Sequence, residues 1–248
     1  MTKITHVLFD MDGPPILLDT ERVYTEVTQA IVARFGKTYD WSLKSRMIGL
    51  RETDVRLFRL GVSIDSLIGA QACELLVKEL DLPMTPEEYR IERKAGHQSR
   101  FPHCKPLPGV MRLVSHLKKH GIPIAVATSS FRDAFELKSK NNQDLFKLFD
   151  GNIVVGNDPR VVKGKPAPDI FQAAARQIGN DLADPRTCLV FEDSPSGVHA
   201  ALNAGMQTVW IPDANLDREA ELVARCDEVL ASMEAFVPEK YGLPPFDD

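Results

Sequence analysis

The sequence has few of the features that mark secreted, membrane-bound or disordered proteins. Its four cysteines lie far apart and form no CxxC pair, so neither a disulfide framework nor a zinc site is indicated, and reduced thiols fit best. No apolar run approaches the roughly 20 residues of a membrane span, and the first residues lack the apolar stretch of a secretory signal. We therefore expect a cytoplasmic protein with no membrane partner.

The chain also lacks an excess of basic residues. Its 30 Lys and Arg against 35 Asp and Glu give a formal net charge of −5, which argues against nucleic-acid binding, because such binding relies on basic patches. A small anionic metabolite stays possible, since a few local donors outweigh the overall charge. With 44% hydrophobic residues the chain can bury a substantial core, and we take a monomer as the default.

Short apolar runs that end in polar residues predict the strands of a parallel sheet. The first run covers residues 6–9 and stops at Asp10. The others are Ile122 to Ala127 before Thr128, Cys188 to Phe191 before Glu192, and Thr208 to Ile211 before Pro212. Helical patterns lie between them, such as the one from Val110 to Leu117 that ends at His120–Gly121. This alternation predicts an α/β fold, a doubly wound parallel sheet covered on both faces.

A long segment after the first strand contains no convincing strand. It covers residues 20–100 and has helix-like stretches around Val23–Phe35 and Leu67–Leu80. The simplest explanation is an α-helical domain inserted after strand one. We therefore predict a core domain formed by residues 1–19 and 101–248, and a helical domain formed by the inserted segment.

The DMDG motif directly follows the first predicted strand. Asp10 and Asp12 can divide the work of phosphoryl chemistry, one attacking a phosphorus centre and the other moving protons, while Gly13 lets the backbone turn sharply. Taken alone, the motif fits an Asx-rich turn after a buried strand equally well.

Three hydroxyl-bearing residues, Thr128, Ser129 and Ser130, follow the second predicted strand. Hydroxyls and backbone N–H groups at the start of a helix can hold phosphate oxygens. Ser and Thr are also common helix N-caps, and that structural explanation is the better one for this cluster alone.

A third cluster, residues 163–169, reads KGKPAPD. Lys165 stands between a glycine and a proline in a segment biased away from helix, so its ammonium can be fixed near a developing negative charge. An isolated lysine is usually just solvated, and Lys163 is our candidate for that state.

Two adjacent acids, Glu192 and Asp193, follow the third predicted strand and precede an alanine-rich helix. Mg²⁺ usually takes one or two protein carboxylates and keeps its other positions for water and phosphate oxygens, so Asp193 together with Asp10 would suffice. Adjacent acids can instead simply favour the helix N-terminus.

Because ligands bind at the carboxyl ends of strands in open α/β sheets, agreement among all four clusters matters more than any one of them.

The order of these clusters, DMDG, TSS, GKPAPDIF and FEDSPSG, resembles the haloacid dehalogenase-like phosphohydrolases that carry a helical cap. Further stretches are similar to the pseudouridine-5′-phosphatase branch of that family, and this resemblance covers nearly the whole chain. They include residues 17–22 (LLDTER), 119–123 (KHGIP), 200–206 (AALNAGM) and 241–244 (YGLP).

The resemblance implies a two-step phosphoryl transfer. Asp10 is expected to be the nucleophile that forms an aspartyl-phosphate, and Asp12 to protonate the leaving alkoxide and then activate the hydrolytic water. Thr128 and Lys165 are expected to bind the transferring phosphoryl group. The further candidates for phosphate binding are Met11, Ser129 and Ser130.

The resemblance also implies a Mg²⁺ cofactor. Its expected ligands are Asp10, the backbone carbonyl of Asp12, and Asp193, with Glu192 as a ligand or as nearby support. An anionic nucleophile meets an anionic substrate only where cations intervene, and the metal and Lys165 together would supply them.

The sequence departs from the family pattern at two places. Pro14 and Pro15 are two extra residues after DMDG, in a segment that forms a mobile turn and flap in the family. A surface bulge absorbs these prolines, or the closing motion and phosphate contacts suffer, or the residues reflect a faulty gene model. Leu50 stands where the family often has a basic residue. Arg46 and Arg51 nearby are candidate substrate contacts, although exposed arginines are more often merely solvated.

These observations lead to one principal hypothesis and two alternatives. The principal one is a Mg²⁺-dependent phosphatase that hydrolyses a small phosphorylated metabolite, with pseudouridine 5′-monophosphate as the first choice. The same site would also serve a sugar-phosphate phosphatase or a transferase resembling β-phosphoglucomutase. A catalytically inactive binding protein, blocked by the extra prolines, is the third reading.

Overall fold

A parallel sheet lies at the centre of the structure. The computed structural model describes residues 2–13, 16–44 and 64–247. The strands are β1 (His6–Phe9), β2 (Ile124–Ala127), β3 (Ile153–Val154), β4 (Cys188–Glu192), β5 (Gln207–Trp210) and β6 (Glu228–Val229). They form one six-stranded sheet in the order β3-β2-β1-β4-β5-β6, and every neighbouring pair is parallel.

The central strands are apolar along their whole length rather than alternating. Nearly every residue of β1, β2, β4 and β5 is buried, as expected for parallel strands that are covered on both faces. Phe9 of β1 stacks on Phe191 of β4, with ring centroids 5.1 Å apart. The predicted α/β fold with a parallel sheet is confirmed.

The structure also contains helices. Those in the described ranges are α1 (Thr20–Ala33), α2 (Ile64–Glu79), α3 (Pro86–Arg100), α4 (Val110–Lys119), α5 (Arg132–Ser139), α6 (Gln143–Phe146), α7 (Asp169–Gln177), α8 (Pro195–Asn203) and α9 (Ala220–Arg225). Small residues of α7 and α8, among them Ala174 and Ala201, are buried in one cluster with the strand residues Leu8 and Val190. Within the described ranges, no helix combines the length and apolarity that crossing a membrane requires.

The sequence pattern missed the edges of the sheet. Both β3 and β6 have only two residues, which is too short for any periodicity to be visible. Strand β2 begins at Ile124 rather than Ile122, and β5 covers residues 207–210 rather than 208–211. The other predicted strands agree with the structure to within one residue.

The chain divides into two compact units. The first consists of Met1–Thr20 and Pro102–Asp248 and contains the sheet; the second is Glu21–Phe101 and contains α2, α3 and nearly all of α1. Inside the second unit, the buried Tyr89 donates a hydrogen bond to the hydroxyl of Thr28 at 3.2 Å. Gly96 of α3 leaves room for Val27 of α1, since a Cβ at that glycine would lie 2.6 Å from a Val27 methyl carbon.

Helix α3 begins with a capping box that the sequence analysis did not use. The Thr85 hydroxyl accepts the Glu88 N–H at 3.2 Å, and the Glu88 carboxylate accepts the Thr85 N–H at 2.7 Å. Pro86 occupies the first turn, where its missing N–H costs nothing. The signal was present as a threonine followed three residues later by a glutamate.

We predict that Thr85→Ala lowers the free energy of unfolding by about 1 kcal/mol, because the first turn of α3 loses its side-chain cap. Thr85→Ser keeps a capping hydroxyl and serves as the control, with a loss of at most a few tenths of a kcal/mol. Urea denaturation followed by circular dichroism measures both variants. Equal stability of the alanine and serine variants would contradict the role of this cap.

Candidate functional site

The polar clusters predicted from the sequence meet at one edge of the sheet. Strand β1 lies between β2 and β4, and the carboxyl ends of these three strands lead to Asp10, Thr128 and Glu192. The strand order reverses direction beside β1, which is the switch point where open α/β sheets bind their ligands. Lys165 reaches the same place from the loop before α7.

Lys165 is buried among acceptors. Its ammonium donates to Asp10 Oδ1, to Glu192 Oε1 at 2.5 Å and to the Ala127 carbonyl oxygen at 3.2 Å. An ammonium has three N–H bonds, so these contacts use all of them. The side chain is only 5% exposed, whereas Lys163 is exposed. The ammonium of Lys165 is therefore fixed between two carboxylates.

The charges around Asp10 are not balanced by Lys165 alone. Burial raises the pKa of Asp10 to about 7; the Lys165 ammonium opposes this effect, and the neighbouring carboxylates of Glu192 and Asp12 add to it. Burial by itself would lower the pKa of Lys165, but the attraction of Asp10 and Glu192 outweighs burial and raises it. Lys165 thus stays charged, and a further positive charge beside Asp10 would favour its ionised form.

Asp12 lies beside Asp10 and has its own set of donors. Its N–H donates to Asp10 Oδ2 at 2.7 Å, so the turn after β1 orients the first carboxylate. Its carboxylate Oδ2 accepts the hydroxyls of Thr128 at 2.9 Å and Ser130 at 2.7 Å, and Oδ1 accepts the ammonium of Lys138 at 2.5 Å. Thr128 and Ser130 therefore contact Asp12 directly.

These donors also set the acidity of Asp12. Burial would raise the pKa of this carboxyl, but the ammonium of Lys138 and the hydroxyls of Ser130 and Thr128 together hold it below its ordinary value. The two carboxyl groups of the DMDG motif thus have pKa values shifted in opposite directions. Such a difference suits two different tasks in one reaction.

Sequence reasoning did not identify Lys138. The residue lies on α5 and is completely buried, together with Phe135 and Ser139 on the same helical face. Helical spacing contained a signal, because positions three and four after a core phenylalanine share its face, whereas Lys140 lies outside it. Nothing in that spacing indicated that the charged end of Lys138 would meet Asp12.

Glu192 supports the site from the end of β4. Its Oε2 accepts the N–H groups of Asp193 at 2.9 Å and Ser194 at 3.1 Å, while Oε1 accepts Lys165. This packing requires glycine at position 197, because a Cβ there would lie 1.8 Å from Glu192 Oε1. Both carboxylate oxygens of Glu192 are therefore engaged by protein donors.

Asp193 is held between two strands. Its carboxylate lies against Gly13, where a Cβ would come within 1.9 Å of Oδ2, and the φ of +101° at Gly13 also favours glycine. The buried indole of Trp210 donates to the Asp193 carbonyl oxygen at 2.7 Å, a contact that the sequence did not suggest. Backbone and side chain of Asp193 are thus fixed by different elements.

The acidic groups satisfy two requirements of a magnesium site. Carboxylate oxygens of Asp10, Glu192 and Asp193 lie within 4.8 Å of one another, and Mg²⁺ prefers oxygen ligands. When ionised, the four carboxyl groups of the site, including Asp12, carry two more charges than Lys165 and the lysine on α5 together. One divalent cation would compensate that difference.

The remaining candidates contribute differently. The Met11 side chain is fully buried and its carbonyl oxygen accepts the Leu18 N–H at 3.1 Å. Ser129 is exposed, next to Ser130 in the loop after β2. The other residues singled out in the sequence, Pro14, Pro15, Arg46, Leu50 and Arg51, lie outside the described part of the chain.

Comparison with known proteins gives a consistent result. The family model of haloacid dehalogenase-like hydrolases matches residues 4–205. An Arabidopsis thaliana protein named (DL)-glycerol-3-phosphatase 1, mitochondrial, is 44% identical over 248 residues, which cover 99% of this chain and 76% of that protein. A Drosophila melanogaster protein named "Probable pseudouridine-5'-phosphatase" is 41% identical and covers 100% of this chain and 98% of that protein.

A solved structure extends the comparison to the fold. A hydrolase of the same family from Deinococcus radiodurans R1, crystallised with bound phosphate and sodium, superposes with a TM-score of 0.72 at 25% sequence identity. The match covers 99% of this chain and 100% of that one.

We predict that Gly197→Ala lowers the free energy of unfolding by about 1–3 kcal/mol, because the added methyl group overlaps the Glu192 carboxylate. Gly164→Ala, in the loop that carries Lys165, is the matched control, since no atom lies within 4 Å of its added Cβ. The control is expected to change stability by no more than about 0.5 kcal/mol. If chemical denaturation gives the same value for both variants, the close approach at Gly197 is not required.

Proposed function

The chain belongs to the haloacid dehalogenase-like hydrolases and is a phosphatase of that family, and we propose that it hydrolyses a small phosphomonoester with Mg²⁺ through an aspartyl-phosphate on Asp10. The observation that carries this proposal is the meeting of Asp10, Lys165 and Asp193 in one buried site from three separate parts of the chain. Phosphoryl transfer needs positioning and charge compensation above all, and this arrangement supplies both.

The proposed reaction has two steps on the same pair of carboxyl groups. In the first, an oxygen of Asp10 attacks phosphorus, the bond to the ester oxygen breaks, and Asp12 gives its proton to the departing alkoxide. In the second, Asp12 takes a proton from water as that water attacks the aspartyl-phosphate. The Asp10–phosphorus bond then breaks, which releases inorganic phosphate and restores the Asp10 carboxylate.

Several residues are proposed to hold the phosphoryl group. Lys165 already lies against Asp10, so its ammonium is placed to compensate negative charge on the transferring oxygens. Ser129 in the loop after β2 would add donors to it, whereas the hydroxyl protons of Thr128 and Ser130 are directed to Asp12. The N–H of Met11 would serve the same purpose from the turn after β1.

The proposed Mg²⁺ ligands are Asp10, Asp193 and the backbone carbonyl of Asp12. We assign Glu192 to support rather than to direct ligation, because its two oxygens already accept the Lys165 ammonium and the N–H groups of Asp193 and Ser194. The ion would compensate the excess negative charge of the site and of the phosphate group. Under this proposal it keeps Asp10 ionised and able to attack.

For the substrate we propose pseudouridine 5′-monophosphate, with glycerol 3-phosphate as the second candidate. The names of the Drosophila and Arabidopsis relatives support these two choices at similar sequence identity. The helical unit, residues 21–101, is proposed to be the cap that selects between them. A sugar-phosphate phosphatase or a transferase resembling β-phosphoglucomutase would use the same core residues. The reaction products distinguish these two activities from the proposed one.

We predict that the purified protein with Mg²⁺ releases inorganic phosphate from both candidate esters, with the highest kcat/KM for pseudouridine 5′-monophosphate. Uridine 5′-monophosphate, glucose 6-phosphate and β-glucose 1-phosphate complete the panel. A kcat/KM for uridine 5′-monophosphate equal to that for pseudouridine 5′-monophosphate would contradict the assignment of pseudouridine 5′-monophosphate as the specific substrate. Conversion of the glucose ester without stoichiometric phosphate release would indicate a mutase.

Two variants control this experiment. Asp10→Asn is expected to reduce phosphate release about 10³-fold or more, because the nucleophile is lost while the shape of the side chain is kept. Asp133→Asn, on an exposed part of α5, is expected to retain full activity. If the folded wild-type protein releases no more phosphate than Asp10→Asn, the inactive binding protein is the correct reading.

We predict that Trp210→Phe raises the Mg²⁺ concentration needed for half-maximal activity about 10–100-fold, because Asp193 loses the indole donor that fixes its backbone. The activity at saturating Mg²⁺ is expected to recover. Cys188→Ala, a change at a fully buried position at the opposite end of β4, is the control for general loosening of the core. An unchanged Mg²⁺ requirement in Trp210→Phe would show that the indole contact does not support the ion site.

A further inference from the structure

A second buried lysine, Lys138, belongs to no cluster that the sequence analysis identified. Its side chain has no exposed surface, and its ammonium donates to Asp12 Oδ1 at 2.5 Å and to the Ser130 hydroxyl oxygen at 2.8 Å. Burying an ammonium is costly unless an opposite charge lies beside it. The carboxylate that compensates Lys138 is the one that the proposed reaction uses to move protons.

Both oxygens of the Asp12 carboxylate accept hydrogen bonds, Oδ1 from Lys138 and Oδ2 from Ser130 and Thr128. The Ser130 oxygen accepts the ammonium of Lys138, which can only donate, so the Ser130 hydroxyl proton is directed to Asp12 Oδ2. The Thr128 hydroxyl donates to the same oxygen and accepts the Ser130 N–H at 3.0 Å. These contacts form a closed network that connects α5, the loop after β2 and the turn after β1.

The network leaves one oxygen of Asp12 available for chemistry. A carboxylate offers about four acceptor positions, two on each oxygen. Oδ2 accepts two hydroxyl donors, whereas Oδ1 accepts Lys138 alone among the contacts described. The Asp12 side chain is 23% exposed, so Oδ1 keeps a position at which a reacting proton can be exchanged.

We infer that Lys138 is a positioning residue that aims Oδ1 of Asp12 at the oxygen with which Asp12 exchanges a proton, which is the leaving ester oxygen in the first step and water in the second. This inference rests on the proposed function. Lys138 does not touch the substrate; it fixes the torsions of Asp12 and compensates the negative charge left on Asp12 once its proton has gone to the alkoxide. Lys138 therefore matters most when the leaving group is a poor one that cannot depart without a proton.

Leaving-group dependence distinguishes this role from a structural one. An alkyl phosphomonoester releases a strongly basic alkoxide and needs the proton of Asp12, whereas p-nitrophenyl phosphate releases an anion that departs without it. We expect Lys138→Met to lower kcat/KM about 10²-fold for the best alkyl ester of the panel and less than about threefold for p-nitrophenyl phosphate. A merely structural defect reduces the fraction of active enzyme and lowers both values by the same factor.

The second step provides an independent signature. Hydrolysis of the aspartyl-phosphate needs Asp12 as a base for either ester, so p-nitrophenyl phosphate is expected to give a rapid burst of p-nitrophenolate before a slower steady rate in Lys138→Met. Lys140→Met is the matched control, because that lysine lies exposed two residues further along. It is expected to leave both kcat/KM values unchanged.

Ser130→Ala keeps the test decisive if Lys138→Met does not fold. It removes one member of the same network and is expected to lower kcat/KM for the alkyl ester about tenfold relative to p-nitrophenyl phosphate. Equal losses for both esters, or no loss, in a folded variant would overturn the role of Lys138. Failure of the wild-type protein to release phosphate beyond Asp10→Asn would instead overturn the proposed function.

Discussion

A buried carboxylate is stable in its charged form only beside a compensating cation, and the arrangement of this site follows from that constraint. Each aspartate of the DMDG motif contacts a different buried lysine: Lys165 contacts Asp10, and Lys138 contacts Asp12. The two lysines come from different segments, so neither charge pair can form until the sheet has brought α5 and the loop before α7 to the end of β1. Charge compensation and assembly of the fold are therefore coupled here.

The same constraint explains why the site is suited to a divalent ion and a phosphate. Two lysines leave part of the negative charge uncompensated, and burial with neighbouring acids raises the pKa of Asp10. A cation held by Asp10 and Asp193 removes that penalty. Two glycines allow the acids to approach so closely, because a Cβ at Gly13 or Gly197 would overlap Asp193 or Glu192. Small residues are thus as necessary as charged ones.

The two carboxyl groups of the motif are differentiated by their partners rather than by their own chemistry. Asp10 is bound by a lysine that it shares with Glu192, whereas Asp12 is bound by a lysine and two hydroxyls of its own. Their pKa values consequently shift in opposite directions. A nucleophile and a proton carrier are obtained from identical side chains two residues apart, and the division of roles in the proposed function depends on this difference.

Local patterns in the sequence determined the four longer strands, several helices and the polar residues at the strand ends, because apolar runs, helical periodicity and turn residues act over a few positions. The pattern could not reveal the two-residue edge strands β3 and β6, which form only by pairing with longer neighbours. Nor could it identify Lys138 or Trp210, whose contacts with Asp12 and Asp193 join residues that are distant along the chain. Residue types and spacing thus indicated the chemistry, whereas tertiary packing alone decided which donor meets which carboxylate, since charge pairing across a core depends on distances that no local pattern records.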